Sequence, residues 1–199
     1  CRWTDMRVRV ATFNLENLDH RPDQKPSLDT RIEVLRPALV RLDADVLCLQ
    51  EVNAQGAKHR TLEALEALLV GMPYAGFERV ATESDSGRPF RDMQNLVTLS
   101  RFPISSHEQF HHDLVKPPVY ELATVADRSH DSREISWDRP IMYTRHSLES
   151  ETGIPDGTGL HFVNVHFRAP LAAHITGKKN GAFEWADAAS WAEGFLLRV

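Results

Sequence analysis

Ala44-Asp45-Val46-Leu47-Cys48-Leu49-Gln50-Glu51-Val52 decides how this chain is built. Val46 to Gln50 is a nearly continuous apolar run, and a strand of that kind is covered on both faces, at the centre of a sheet. It closes on the carboxylate of Glu51, at the mouth of the sheet. Two other runs end in a polar group in the same way: Val8-Arg9-Val10-Ala11-Thr12-Phe13-Asn14, and Leu160-His161-Phe162-Val163-Asn164-Val165-His166. Each polar residue taken singly has a plain reading, as a solvated strand-end charge, a turn former or a packed histidine. Together they place a carboxamide, a carboxylate and an imidazole at strand ends.

The surrounding pattern is mixed. Residues 6 to 14 alternate as a strand, with Val8, Val10 and Thr12 on one face. Asp19 to Pro26 reads as a loop. From Leu28, the residues Ile32, Leu35, Leu39 and Leu42 recur at helical spacing, and Pro37 is expected to kink or break that helix. A second helix is expected over Thr61 to Val70, with Leu62, Leu65, Leu68 and Leu69 as its stripe. Strands are expected at Phe77–Thr82, Leu96–Leu99, Ile104–Phe110, Ile141–Leu148 and Leu160–Phe167, the last two joined across Gly153-Ile154-Pro155-Asp156-Gly157. His111 to Asp138 is the least regular stretch. Ala182 to Val199 reads as a helix presenting Trp185, Ala188, Ala189, Ala192 and Leu196 to a core. Many strands with two early helices imply stacked sheets flanked by helices.

The chain has 199 residues, enough for one domain with a real core, and its 42% hydrophobic and 26% charged content is ordinary for a globular protein. No apolar run approaches the ~20 residues that span a bilayer. The net charge of -5 argues against bulk electrostatic coating of nucleic acid, though a metal and a few local cations suffice to hold one phosphate. The two cysteines, Cys1 and Cys48, do not make a disulfide framework; Cys48 reads as a buried, reduced thiol, which favours a reducing, cytoplasmic setting. The first residue is Cys1. Met6 is one candidate for the natural start, and a removed segment before a lipid-modified Cys1 is the other reading.

A hard cation such as Mg²⁺ uses one or two carboxylates together with water and substrate phosphate oxygens, and Glu51 is placed for that role. Glu16 flanks Leu15 opposite Asn14, so in extended chain both side chains point the same way, and Glu16 is a candidate to share or water-bridge the metal. Asn14 is a candidate to orient a phosphate, and His166 to hydrogen-bond a non-bridging phosphate oxygen. His107, His111, His112, Asp113 and His130 are metal-ligand types, but their spacing matches no zinc pattern and a solvated loop is the expectation. Arg88 and Arg91 beside Gly87, and Lys178-Lys179-Asn180-Gly181, read as surface turns.

The combination resembles the endonuclease/exonuclease/phosphatase superfamily. The matching segments are Thr12-Phe13-Asn14-Leu15-Glu16-Asn17, Ala44 to Val52, Asn95-Leu96-Val97-Thr98-Leu99-Ser100-Arg101-Phe102-Pro103-Ile104, Arg139-Pro140-Ile141 and Val163-Asn164-Val165-His166. The resemblance implies a DNase-I-like α/β fold, a four-layer α/β/β/α sandwich, and divalent-metal hydrolysis of a phosphodiester or phosphomonoester with Mg²⁺ or Mn²⁺. It implies that Glu51 binds the metal, with Glu16 where some members carry a second acidic residue. Asn14 matches the active-site asparagine, His166 the histidine contacting the scissile phosphate, and Arg139 a substrate-facing arginine. Asn95 and Ser100 match positions that support the strand.

The family pattern continues with a Gly-Asp-x-Asn strand end and a Ser-Asp-His segment, and neither occurs here. The expectation is therefore that residues 1–199 form about the first two-thirds of one domain, missing its last strands. Activity is then expected of the full-length form and not of these residues alone. The substrate is open between nucleic acid and a phosphorylated lipid or sugar. The competing reading is a non-catalytic binding or scaffold protein that keeps the fold.

Overall fold

A computed structural model describes residues 7–84, 86–87, 89–125, 132–137, 139–148, 158–167, 171–181 and 183–197. Arg88, His130 and the turn at 153–157 lie outside the described residues. In chain order the elements are β1 (Val10–Leu18), α1 (Leu28–Leu42), β2 (Val46–Val52), α2 (Glu63–Leu69), a 3₁₀ turn (Pro73–Gly76), β3 (Glu78–Ala81), β4 (Asn95–Ser100) and β5 (Ile104–Phe110). They continue with β6 (Val119–Glu121), β7 (Ser132–Glu134), β8 (Ile141–Ser147), β9 (Gly159–Asn164) and α3 (Ala188–Leu196). The chain forms two compact units, one of Cys1–Phe110 with Arg139–His166 and the other of His111–Asp138 with Phe167–Val199.

In the first unit, one sheet has the order β1-β2-β4-β3 and the other β5-β8-β9. β1 runs parallel to β2, and β2 pairs antiparallel with β4. β2 lies inside the sheet, as its apolar run requires, and β4 is buried along its whole length. One face of this sheet packs under the helices in a cluster that includes Leu39, Leu47, Leu49, Leu65, Leu68, Val97 and Leu99. Burying each such side chain contributes about 1.5–3 kcal/mol.

The opposite face meets the second sheet, and this seam is largely polar. Gln50 Nε2 donates to Asn164 Oδ1 (2.9 Å), and Asn164 Nδ2 donates to the carbonyls of Leu49 and Val97 (3.3 Å each). His146 is fully buried, with Nδ1 2.7 Å from Ser100 Oγ and Nε2 2.8 Å from Thr144 Oγ1. A smaller apolar cluster of Val46, Phe102 and Leu148 completes the seam. Cys48 is buried, and burial pushes its thiol pKa up.

Helix α1 starts at Ser27, whose side chain accepts from Thr30 N–H, and ends at Asp43 in a left-handed conformation. It runs unbroken through Pro37, contrary to a break. Pro37 and Glu33, whose carbonyl loses its partner, are both exposed, so water replaces the missing bond. Arg36 donates to the carbonyls of Ala67 (2.7 Å) and Leu68 (3.0 Å), tying α1 to the end of α2. Tyr74 OH donates to Leu39 O (2.9 Å) and accepts from Ala44 N–H (3.0 Å), closing the turn between α1 and β2.

The second unit holds the antiparallel pair β6–β7 and α3. Two expectations need correction here. The stretch from His111 contains this short strand pair, and the terminal helix spans only Ala188–Leu196 with a different buried face. Ser190, Glu193 and Gly194 are buried, while Ala188, Ala189, Ala192 and Leu196 are exposed. The reason is polar. The Glu193 carboxylate accepts from Tyr120 OH (3.1 Å), Thr124 N–H (3.0 Å), Ala123 N–H and Thr124 Oγ1. Gly194 allows a close approach, since a Cβ there would lie 2.6 Å from Ala173 O. Lys178 pairs with Asp187 (3.9 Å) and Lys179 lies 5.6 Å over the Trp185 ring, so this turn is more than solvated charge.

Candidate metal and phosphate site

The site forms where pairing in the first sheet slips. β1 pairs regularly with β2 up to Asn14↔Gln50 and resumes only at Leu18↔Val52; β2 slips against β4 between Leu49 and Val52. The extra residues are taken up by left-handed backbone at Glu16 (φ 49°), Asn17 (φ 53°) and Glu51 (φ 60°), with Gln94 (φ 57°) just before β4. Such conformations in non-glycine residues cost on the order of 1–3 kcal/mol each and gather at functional sites. The distorted β1 segment is held by neighbours: Arg31 of α1 donates to the carbonyls of Asn17 (3.2 Å) and Leu15, and Gln24 Nε2 donates to Asn17 O (3.2 Å).

The slip corrects the expectation that Asn14 and Glu16 share a face by alternation. The backbone turns at Glu16, whose N–H donates to Asn14 Oδ1 (2.7 Å), and the Glu16 side chain stands exposed. Asn14 instead turns its Nδ2 to Glu51 Oε1 (2.9 Å). The other Glu51 oxygen accepts from Asn17 N–H (3.0 Å).

His166 lies just beyond β9, whose last residue, Asn164, is bonded to the first sheet. Its Nε2 sits 3.3 Å from both Glu51 Oε1 and Asn14 Nδ2. Burial, reinforced by the Arg139 charge and opposed by Glu51, holds the imidazole below its ordinary pKa. Its Nδ1 is buried and has no hydrogen-bond partner among the described residues. Arg139 donates from Nε (3.0 Å) and Nη2 to Gln94 Oε1, and its Nη1 comes within 3.5 Å of His166 O. Asn14, Glu51, His166 and Arg139 therefore stand in one connected group in the first unit, and Glu16 does not bond to it through its carboxylate.

The donor set suits a hard, water-rich cation. Each Glu51 oxygen accepts one hydrogen bond and keeps a second lone pair, on a side chain 16% exposed. Among the described residues no group of three or more His, Cys, Asp or Glu side chains could enclose a metal. One carboxylate with room for water is compatible with Mg²⁺ or Mn²⁺ and unlike a closed zinc site.

Among the described residues, the histidines of the insert belong to no group that could hold a metal. His112 stacks on Trp137 at 4.4 Å, accepts from Trp137 N–H at Nε2 (3.0 Å), and its Nδ1 lies 3.3 Å from Val115 O. These contacts tie the imidazole into the insert itself. Arg91 N–H donates to Asn95 Oδ1 (2.9 Å), and Asn95 is wholly buried, as its strand-supporting role requires. Sequence reasoning passed over Asn17, Gln94 and Arg31. Asn17 stands in the first matching motif, but nothing in the sequence marks Gln94 or Arg31.

The model of the Endonuclease/Exonuclease/phosphatase family matches residues 11–173, which include Asn14, Glu16, Glu51, Arg139 and His166. Solved structures similar to this chain include truncated TDP2 of Caenorhabditis elegans, at 16% identity over 81% of this chain and 47% of that one, with a TM-score of 0.45. An endonuclease/exonuclease/phosphatase family protein from Leptotrichia buccalis matches at 13% identity over 82% and 55%, with a TM-score of 0.45. A mannosyl-6-phosphatase of Bacteroides thetaiotaomicron matches at 17% identity over 70% and 45%, with a TM-score of 0.42. The chain thus spans 45–55% of the length of these three. No curated protein matches it. In the first unit the architecture is mixed α/β, with a four-stranded and a three-stranded sheet and two helices. On the extent of the family match, this chain belongs to the endonuclease/exonuclease/phosphatase family.

Proposed function

We propose that the first unit carries the metal- and phosphate-binding part of a divalent-metal-dependent phosphoester hydrolase. The observation that supports this most is the convergence, within 3.3 Å, of Asn14 Nδ2 from β1, Glu51 Oε1 from β2 and His166 Nε2 from just beyond β9. In this reading Glu51 holds Mg²⁺ or Mn²⁺, which when bound supplies positive charge to a phosphoryl oxygen. Asn14 fixes the Glu51 carboxylate with one amide hydrogen and offers the other to the phosphate. His166 hydrogen-bonds a non-bridging oxygen as negative charge grows there. Arg139 adds a guanidinium suited to planar, two-pronged contact with phosphate. The substrate is a phosphoester of nucleic acid or of a phosphorylated lipid or sugar.

The test is Mn²⁺ binding by electron paramagnetic resonance, followed by hydrolysis of a chromogenic phosphodiester and phosphomonoester by the full-length protein as metal is varied. Glu51→Gln keeps the shape and removes the charge, so Mn²⁺ affinity should fall by about tenfold or more. His111→Ala with His112→Ala should leave the metal response unchanged. Loss of the response in the histidine variant, with Glu51→Gln unaffected, would place the metal in the insert and overturn the assignment to Glu51. Metal binding without turnover of any phosphoester would favour a binding role for the fold.

A further inference from the structure

We infer that Gln94 is a positioning residue that locks Arg139 to Glu51, so that the anion-holding and cation-holding groups act as one hydrogen-bonded unit. This rests on the phosphate-site reading above and adds to it a residue that the family motifs do not mark. Gln94 Oε1 accepts from Nε and Nη2 of Arg139, and its Nε2 donates to Asn17 Oδ1 (3.2 Å). Asn17 N–H in turn donates to Glu51 Oε2 (3.0 Å). The path from guanidinium to carboxylate therefore runs through one side-chain amide and one asparagine.

The backbone beneath is fixed with equal care. Gln94 N–H donates to Asn53 Oδ1 (2.9 Å), and Asn53 Nδ2 donates to Asp19 Oδ2 (3.1 Å). Both Asn53 and Asp19 are buried. Gln94 is held at φ 57°, where glycine would be the unstrained choice, so its side chain is kept at a conformational cost.

The chemistry explains why an amide stands here. It accepts from the guanidinium and donates to Asn17 at the same time, which a carboxylate or a hydrocarbon cannot do. It also orients Arg139 without adding negative charge beside the place a phosphate would occupy. A glutamate would keep the contact with Arg139, lose the one to Asn17 Oδ1 and oppose the anion.

Inorganic phosphate binding, followed by ³¹P NMR titration of the full-length protein without metal, tests this. Gln94→Gly removes the amide and relieves the left-handed backbone. It should weaken phosphate binding about tenfold, and Gln94→Glu by at least as much. Because Gln94 acts through Arg139, Gln94→Gly combined with Arg139→Ala should bind no more weakly than Arg139→Ala alone. A purely structural role would make the two losses add. Additive losses, or unchanged binding by Gln94→Gly while Arg139→Ala is weakened, would overturn the positioning role alone. Failure of the unsubstituted protein to bind phosphate, or unchanged binding by Arg139→Ala, would overturn the phosphate-site reading together with it. If Gln94→Gly does not fold, the near-isosteric Gln94→Glu decides, and unchanged affinity in that variant refutes the inference.

Discussion

Acidification should loosen this protein in large part through the buried imidazole of His146. His146 is fully buried between the two sheets, bonded to Ser100 and Thr144 and packed edge-on against Phe162 at 4.9 Å. Burial drives its pKa from 6.5 down to about 4, and the negative charge of Glu78 only partly opposes this. Between those two values the unfolded chain binds a proton that the folded chain refuses. Stability is therefore fully present above pH 6.5 and falls as pH drops, by up to about 1.4 kcal/mol per unit. Integrated, the loss is about 2 kcal/mol between pH 7 and pH 5 and about 3 kcal/mol by pH 4. Urea unfolding at half-unit pH steps measures it. His146→Asn retains a polar partner for Ser100 without the titration, so it should be weaker at pH 7 yet show a flatter profile. Parallel profiles for the two proteins, or an NMR-titrated His146 with an ordinary pKa, would refute the reasoning.

Two substitutions probe the scaffold under the site. Tyr74→Phe leaves Leu39 O and Ala44 N–H without their shared hydroxyl in a buried setting, and should cost about 1–3 kcal/mol by urea denaturation at unchanged m-value. Arg31→Met strips the donors from the carbonyls of Leu15 and Asn17. It should cost a similar roughly 1–3 kcal/mol and should also weaken Mn²⁺ binding, because Asn17 N–H carries Glu51 Oε2; a stability loss with unaltered Mn²⁺ affinity would separate the bulge from the site.

The sequence was legible where a repeat period was strong. The leucine stripes of α1 and α2 and the apolar runs of β2 and β4 carry enough pattern to place each within a few residues. Asn14, Glu51 and His166 stood out because each ends such a run. The bulges did not, because no glycine marks the left-handed backbone at Glu16, Asn17, Glu51 and Gln94. Gln94 lies in a polar loop, and only tertiary contact with Arg139 gives it meaning. The face of α3 was misjudged for a related reason. Hydrophobicity ranks Leu196 as the buried residue, yet Glu193 finds four donors and takes the interior position while Leu196 stays exposed. The short strands β6 and β7 are three residues each, too brief for any period to register.

The hydrogen bond from the Gln50 amide to the Asn164 amide has a consequence for how the site tolerates change. Gln50 precedes Glu51 and Asn164 stands two residues before His166, so this 2.9 Å contact works as a gauge block between the two halves of the site. Aliphatic contacts have no preferred direction and let facing layers creep past one another, whereas an amide pair aligned at hydrogen-bond distance does not. The spacing of carboxylate and imidazole is thereby set by the dimensions of two carboxamides rather than by how tightly the leucines nearby are packed. Trimming methyl groups from the helical side of the sheet would slacken that side first and leave the span from Glu51 to His166 at its original length.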